Sequence, residues 1–122
     1  MAIVEYLNYT DDGGSIGSDS SERSMTNGTT SVATNTDDGI YQAFIWVNGN
    51  SALTETLTIR VYEKVRSGDT QRLVYKFVYY GQALTQEVLV TPPVVLMHGW
   101  DFTAQFSASG GRTILYSIKR VS

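Results

Sequence analysis

A chain of 122 residues has room for one core, and its apolar fraction of 42%, with two Trp, eight Tyr and four Phe, supplies the side chains to fill it. The formal charge is −3 and Cys is absent, which excludes disulfides, thiolate nucleophiles and cysteine-ligated metals. There is no apolar run long enough to cross a bilayer as a helix, and the first residues lack the basic-then-apolar pattern of a secretory signal, so no membrane partner is expected.

The charge is unevenly spread. Residues 1–38 carry seven acids (Glu5, Asp11, Asp12, Asp19, Glu22, Asp37, Asp38) against Arg23 alone, whereas residues 39–122 carry eight bases against five acids. The chain therefore reads as two parts, an acidic N-terminal arm and loop region over residues 1–38 and a mildly basic domain over 39–122. Such polarity suits an arm that lies across its own domain or a neighbouring copy, although a solvated loop also collects Asp, Ser and Gly.

Within the front part, Ile3, Tyr6 and Leu7 form a loosely alternating segment suited to a short strand or a docking arm. The run from Asp11 to Gly28 is dense in turn formers and poor in large apolar residues, the composition of a functional loop, extended arm or disordered segment. Thr29 to Thr36 has the Thr, Ser and Val content of a short edge strand.

Beyond Gly39 the pattern becomes regular. Ile40 to Val47, bounded by Asp38-Gly39 and Asn48-Gly49, predicts a central strand. Thr54 to Val65 alternates, with Leu57, Ile59 and Val61 on one face and Thr56, Thr58, Arg60 and Tyr62 on the other. A turn at Ser67-Gly68-Asp69 leads into Gln71 to Tyr80, whose Leu73, Tyr75, Phe77 and Tyr79 are assigned to the core. Its second face, Val74, Lys76, Val78 and Tyr80, is also largely apolar and reads as covered by the arm or as an interface.

A shorter strand, Thr85 to Val90, ends at Pro92-Pro93, which lacks two amide donors and cannot sit in a central ladder. Val94 to Met97 extends again. Trp100 to Ala108 alternates most cleanly, with Trp100, Phe102, Ala104, Phe106 and Ala108 against Asp101, Thr103, Gln105 and Ser107. After Ser109-Gly110-Gly111, Arg112 to Val121 sets Ile114, Tyr116 and Ile118 against Leu115, Ser117 and Lys119. The fold class is all-β, an antiparallel β-sandwich or jelly-roll-like small barrel of about seven to eight strands behind an extended Gly/Ser/Asp-rich segment. Strand order, which separates a jelly roll from an immunoglobulin-like sandwich, is not visible in the sequence.

Chemistry finds little support. His98 is the single histidine and has no spaced partner ligands; it is expected to hydrogen-bond within a turn made by Gly99, with its apolar edge against Trp100. Asp11-Asp12-Gly13-Gly14 and Asp37-Asp38-Gly39 lack the ligand spacing of a calcium loop and read as Asx-type turns. Gly13-Gly14-Ser15-Ile16-Gly17 lacks the lysine and preceding strand of a phosphate loop. The glycosylation triplets at Asn8 and Asn27 are too common by chance to count. Tyr75, Tyr79, Tyr80, Arg72 and Lys76 invite comparison with a nucleic-acid stacking platform, but an acidic chain and the core assignment of Tyr75 and Tyr79 weigh against it. No enzymatic activity, catalytic residue, cofactor, metal or nucleic-acid partner is expected.

Two kinds of binding surface remain. One is a structural protein docked on a larger assembly, with candidate interface residues Ile3, Tyr6, Leu7, Val74, Lys76, Val78 and Tyr80. The other is a carbohydrate- or receptor-binding module using Trp46 or Trp100, though both rings are assigned to the core. Leu57-Thr-Ile-Arg-Val-Tyr-Glu-Lys-Val-Arg-Ser-Gly-Asp-Thr-Gln71, Leu96-Met-His-Gly-Trp-Asp-Phe-Thr103 and Gly111-Arg-Thr-Ile-Leu-Tyr-Ser-Ile-Lys-Arg120 resemble segments of small β-rich structural proteins of tailed bacteriophages, including capsid decoration or cement proteins. The resemblance implies a virion protein on the capsid exterior, a homo-oligomer (trimer or dimer), bound to the major capsid protein or another virion protein. It transfers no catalytic residues.

Overall fold

The computed structural model describes residues 4–6, 20–48, 56–79, 88–107 and 113–120. Its strands are β1 (Val4–Tyr6), β2 (Arg23–Ser24), β3 (Gly39–Asn48), β4 (Leu57–Lys64), β5 (Gln71–Tyr79), β6 (Val88–Val90), β7 (Val94–Leu96), β8 (Asp101–Phe106) and β9 (Thr113–Arg120). They form two antiparallel sheets, one ordered β1-β9-β3-β6 with β7 also on β3, the other ordered β2-β8-β4-β5.

The pairing has a simple logic when β6 and β7 are taken as one interrupted strand. First pairs with last, β1 with β9, then β2 with β8, β3 with β6 and β7, and β4 with β5. The chain is thus a long antiparallel hairpin, reversed at the β4–β5 turn and wrapped into two sheets, the strand order of a jelly roll.

Pro92-Pro93 explains the interruption. Two residues of β3, Gln42 and Ala43, face the three residues Thr91–Pro93, so the strand bulges where the prolines cannot donate. Thr91 repairs the ladder. It is buried, its amide donates to Ala43 O (3.0 Å), its Oγ1 accepts from Ala43 N (2.9 Å), and its carbonyl accepts from Gln42 Nε2 (3.0 Å).

The core lies between the sheets. Tyr41, Ala43, Ile45, Tyr116 and Ile118 from one meet Leu57, Ile59, Val61, Phe102, Ala104 and Phe106 from the other, with Trp100 at one end. The facing read from β4 and β8 is realised, because successive side chains of a strand point to opposite faces of its sheet. Trp100 packs 4.4 Å from the Tyr41 ring and edge-on to Phe102 at 6.0 Å. Its indole N–H and the Tyr41 hydroxyl both donate to the carbonyl of Asp37, at 2.8 and 2.7 Å. One backbone oxygen therefore satisfies the polar ends of two of the largest buried residues.

Residues 20–38, read from sequence as part of an arm outside the domain, are woven into it. Met25 is fully buried in the core, and its amide donates to Phe102 O (2.7 Å). Ser24 Oγ accepts from the amides of Thr26 and Asn27, and Asn27 Oδ1 accepts from Thr29 N, so the Ser, Thr and Asn residues here make a folded turn. In place of an edge strand over Thr29 to Thr36, a single bridge joins Asn35 to Trp100 through two 2.9 Å backbone bonds.

The outer face of β8 consequently differs from its expected wet state. Asp101 and Thr103 are as buried as the apolar residues between them. Glu22 Oε2 accepts from Tyr62 Oη (2.6 Å) and Thr103 Oγ1 (2.5 Å), with Arg60 at 3.8 Å, while Gln105 Nε2 donates to Ser20 O. Part of the acidic segment thus lies across its own domain.

Met25→Ala should lower the unfolding free energy by about 2–5 kcal/mol, the cost of emptying a buried methionine site. Denaturant unfolding with the slope unchanged checks this; a loss below about 0.5 kcal/mol, the scale of a surface substitution, would mean that the segment is peripheral.

Candidate functional site

β5 lies at the edge of its sheet, paired with β4 alone among the described strands. On β4, Val61 and Tyr62 are consecutive, yet their partners are Tyr75 and Leu73, so Val74 is an inserted residue. This bulge breaks the alternation that placed Leu73 in the core. Leu73 instead faces Tyr62, on the face of β4 opposite to the buried Val61 and Ile59, and it is 47% exposed. Val74 and Tyr75 are 39% and 40% exposed, Tyr75 because an edge strand is covered on one side only. Phe77 and Tyr79 remain packed against the core, and the Tyr75 and Phe77 rings stack at 6.2 Å.

Of the candidate interface residues, Val74 and Lys76 are exposed and Val78 is half-buried, opposite Thr58. Tyr6 pairs through its backbone with Ile118, at the far edge of the other sheet. Ile3, Leu7 and Tyr80 lie outside the described residues. Leu73 and Tyr75 join the exposed edge and escaped the sequence reading, Leu73 because a bulge leaves no mark on an apolar run and Tyr75 because the sequence does not show which strand lies at an edge. Arg72 flanks the patch, 3.3 Å from Asp69 in the turn, a solvent-exposed ion pair worth little.

The other sheet has its own apolar outer face. Trp46, assigned from sequence to the core, alternates with buried Ile45 and is half-buried beside Phe44, opposite Val88 and Leu115. Lys119 Nζ sits 4.0 Å from the Phe44 ring centroid, a cation–π contact that covers part of this face. Trp100, the other ring considered for sugar stacking, is fully buried.

A hollow of about 420 Å³ opens beside the β4–β5 turn, lined by Thr34, Thr36, Asp38, Lys64, Ser67, Met97, His98 and Gly99. His98 is held through its backbone: its amide donates to Glu63 Oε2 (3.0 Å) and its carbonyl accepts from Lys64 N (2.8 Å). Gly99 takes φ +55°, the left-handed region, and the stem of Lys64 passes 3.0 Å from where a β-carbon would sit. Among the described residues no three His, Asp or Glu side chains gather as a metal site.

Asp101, three residues beyond His98, bonds to the 24–33 turn. Oδ1 accepts from Thr26 Oγ1 (2.7 Å) and Oδ2 from Ala33 N (2.9 Å), tying the 24–33 turn to β8. Burial raises its pKa above the ordinary carboxylate value, with the bonds from Ser24, Thr26 and backbone amides opposing the rise. Tyr62 is pushed up to about 12, by burial first and then by its bond to the Glu22 carboxylate, and so donates throughout the physiological range.

No protein-family profile matches the chain, and no curated protein sequence matches it.

A carboxyl whose pKa rises on folding stabilises the fold most when protonated, so its contribution is present below pH 3.8, the ordinary value, and is lost as pH climbs through the raised folded value. The stability of the native chain relative to Asp101→Asn should therefore fall as pH rises from about 3 through the acid range. Urea titrations of both proteins across that range check the sign, and a relative gain with rising pH would contradict it.

Proposed function

We propose that the protein is a non-enzymatic structural component that docks on the surface of a larger assembly, a phage shell in which the major capsid protein is its partner. The observation that carries this reading is the β5 edge. Nine residues long and paired on one side only among the described strands, it offers a row of backbone donors and acceptors together with Leu73, Val74 and Tyr75, and Arg72 and Lys76 flank that patch. Long apolar edges invite pairing with another chain and are normally blunted or covered. The bulge at Val74 shortens the flat stretch without hiding it.

Further support comes from where the polar groups are used. Glu22, Asp101, Thr91 and Gln71 all bond within the fold, which supports a reading in which the protein acts through its surface. Jelly rolls serve in capsid and lectin domains, and the fold alone does not choose between them. The resemblance to tailed-phage decoration proteins favours the shell, with copies bound on the capsid exterior as dimers or trimers.

The test is co-sedimentation with empty shells of a double variant, Leu73→Asp with Val74→Asp, beside Ser31→Asp, at an exposed position in the 25–31 turn, as control. The edge variant should keep its unfolding midpoint and lose at least about tenfold in affinity, roughly the loss of one interface hot spot, while the control binds normally. Wild-type occupancy by the edge variant would overturn the assignment of β5 as the docking edge.

A further inference from the structure

We propose that the hollow beside the β4–β5 turn is a binding site for a single neutral sugar ring or a polyol of similar size, a function separate from docking through β5. Its volume of about 420 Å³ falls in the range of small-molecule sites. The argument rests on what lines it and on how firmly the lining is held.

The lining carries both signs of charge together with hydroxyls. Lys64 is a donor only, Asp38 an acceptor only, and Thr34, Thr36 and Ser67 can each do either. An anion drawn to Lys64 would face the carboxylate of Asp38, and a cation drawn to Asp38 would face the ammonium of Lys64. A neutral polyhydroxyl ligand meets neither repulsion, because each of its hydroxyls both donates and accepts. Met97, which is 48% exposed, and the stem of Lys64 laid over Gly99 supply an apolar wall for the C–H face of a ring.

Three separate stretches of chain build the walls, and named bonds join them. Gln71 Nε2 donates to both Ala33 O (2.7 Å) and Gly99 O (2.8 Å), linking the first wall to the third. Asn35 and Trp100 exchange two backbone bonds, and Trp100 Nε1 holds the carbonyl of Asp37. Glu63 Oε2 accepts from the amides of Met97 (2.5 Å) and His98 (3.0 Å), and Lys64 N donates to His98 O. The frame is thus set by the fold before any ligand arrives, which reduces the ordering cost of binding.

The experiment is a nitrogen-15 NMR titration of the full chain with the methyl glycosides of glucose, galactose, mannose and N-acetylglucosamine, and separately with inorganic phosphate. At least one glycoside should give saturable shifts confined to residues 34–38, 64–67 and 97–99. Thr36→Val, and Lys64→Met, which keeps the stem on Gly99, should each weaken that binding about fivefold, the loss of one hydrogen bond, with unfolding midpoints unchanged. Absence of saturable shifts with every glycoside overturns the proposal. So does phosphate binding these residues more tightly than any glycoside, since the opposite charges in the lining would then not select a neutral ligand.

Discussion

The first four residues of β8, Asp101 to Ala104, are dry on both faces, and much of the structure follows from that. The strand's inward side chains, Phe102, Ala104 and Phe106, are the ordinary contribution of a strand to a sandwich core. Its outward side chains Asp101 and Thr103 are polar and yet buried, a state that costs several kcal/mol unless each polar atom finds a partner. The partners come from residues 20–36: Thr26 and Ala33 for Asp101, Glu22 for Thr103. That segment is held in turn by Met25 in the core and by the Asn35 bridge to Trp100. The segment and the outer face of β8 thus supply each other's partners.

What the sequence disclosed, and what it hid, follows the same physics. Leu57, Ile59 and Val61 on β4, and Trp100, Phe102, Ala104 and Phe106 on β8, stand out because a strand facing a core repeats every two residues. Pro92-Pro93 was legible as a break, since a missing amide is a property of the residue itself. The Val74 insertion was not, because a bulge depends on the register of the opposing strand. Met25 sits alone among Ser, Thr and Asn, with no periodic neighbours to mark it as core. Asp101 gave no sign of burial because its partners lie 68 and 75 residues away along the chain. The wrapped-hairpin order was hidden for the same reason.

These corrections relocate the surfaces on which function depends. The acidic residues that suggested a free arm are in part internal: Glu22 closes a network with Tyr62, Arg60 and Thr103, and Asp37 offers its carbonyl to Trp100 and Tyr41. The open apolar edge moves to β5, where Leu73 and Tyr75 join Val74. Gln71 at the start of that strand also braces the hollow at the β4–β5 turn, so both proposed surfaces share a rigid support.

The central claim is that residues 20–38 are part of the folded body. It is tested most directly by comparing the cooperative unfolding of a chain cut before Ser20 with that of a chain cut before Gly39. Loss of Met25, of the Asp101 partners and of the Asn35 bridge should leave the second far less stable than the first, or without a cooperative transition. Equal unfolding midpoints for the two would contradict the account.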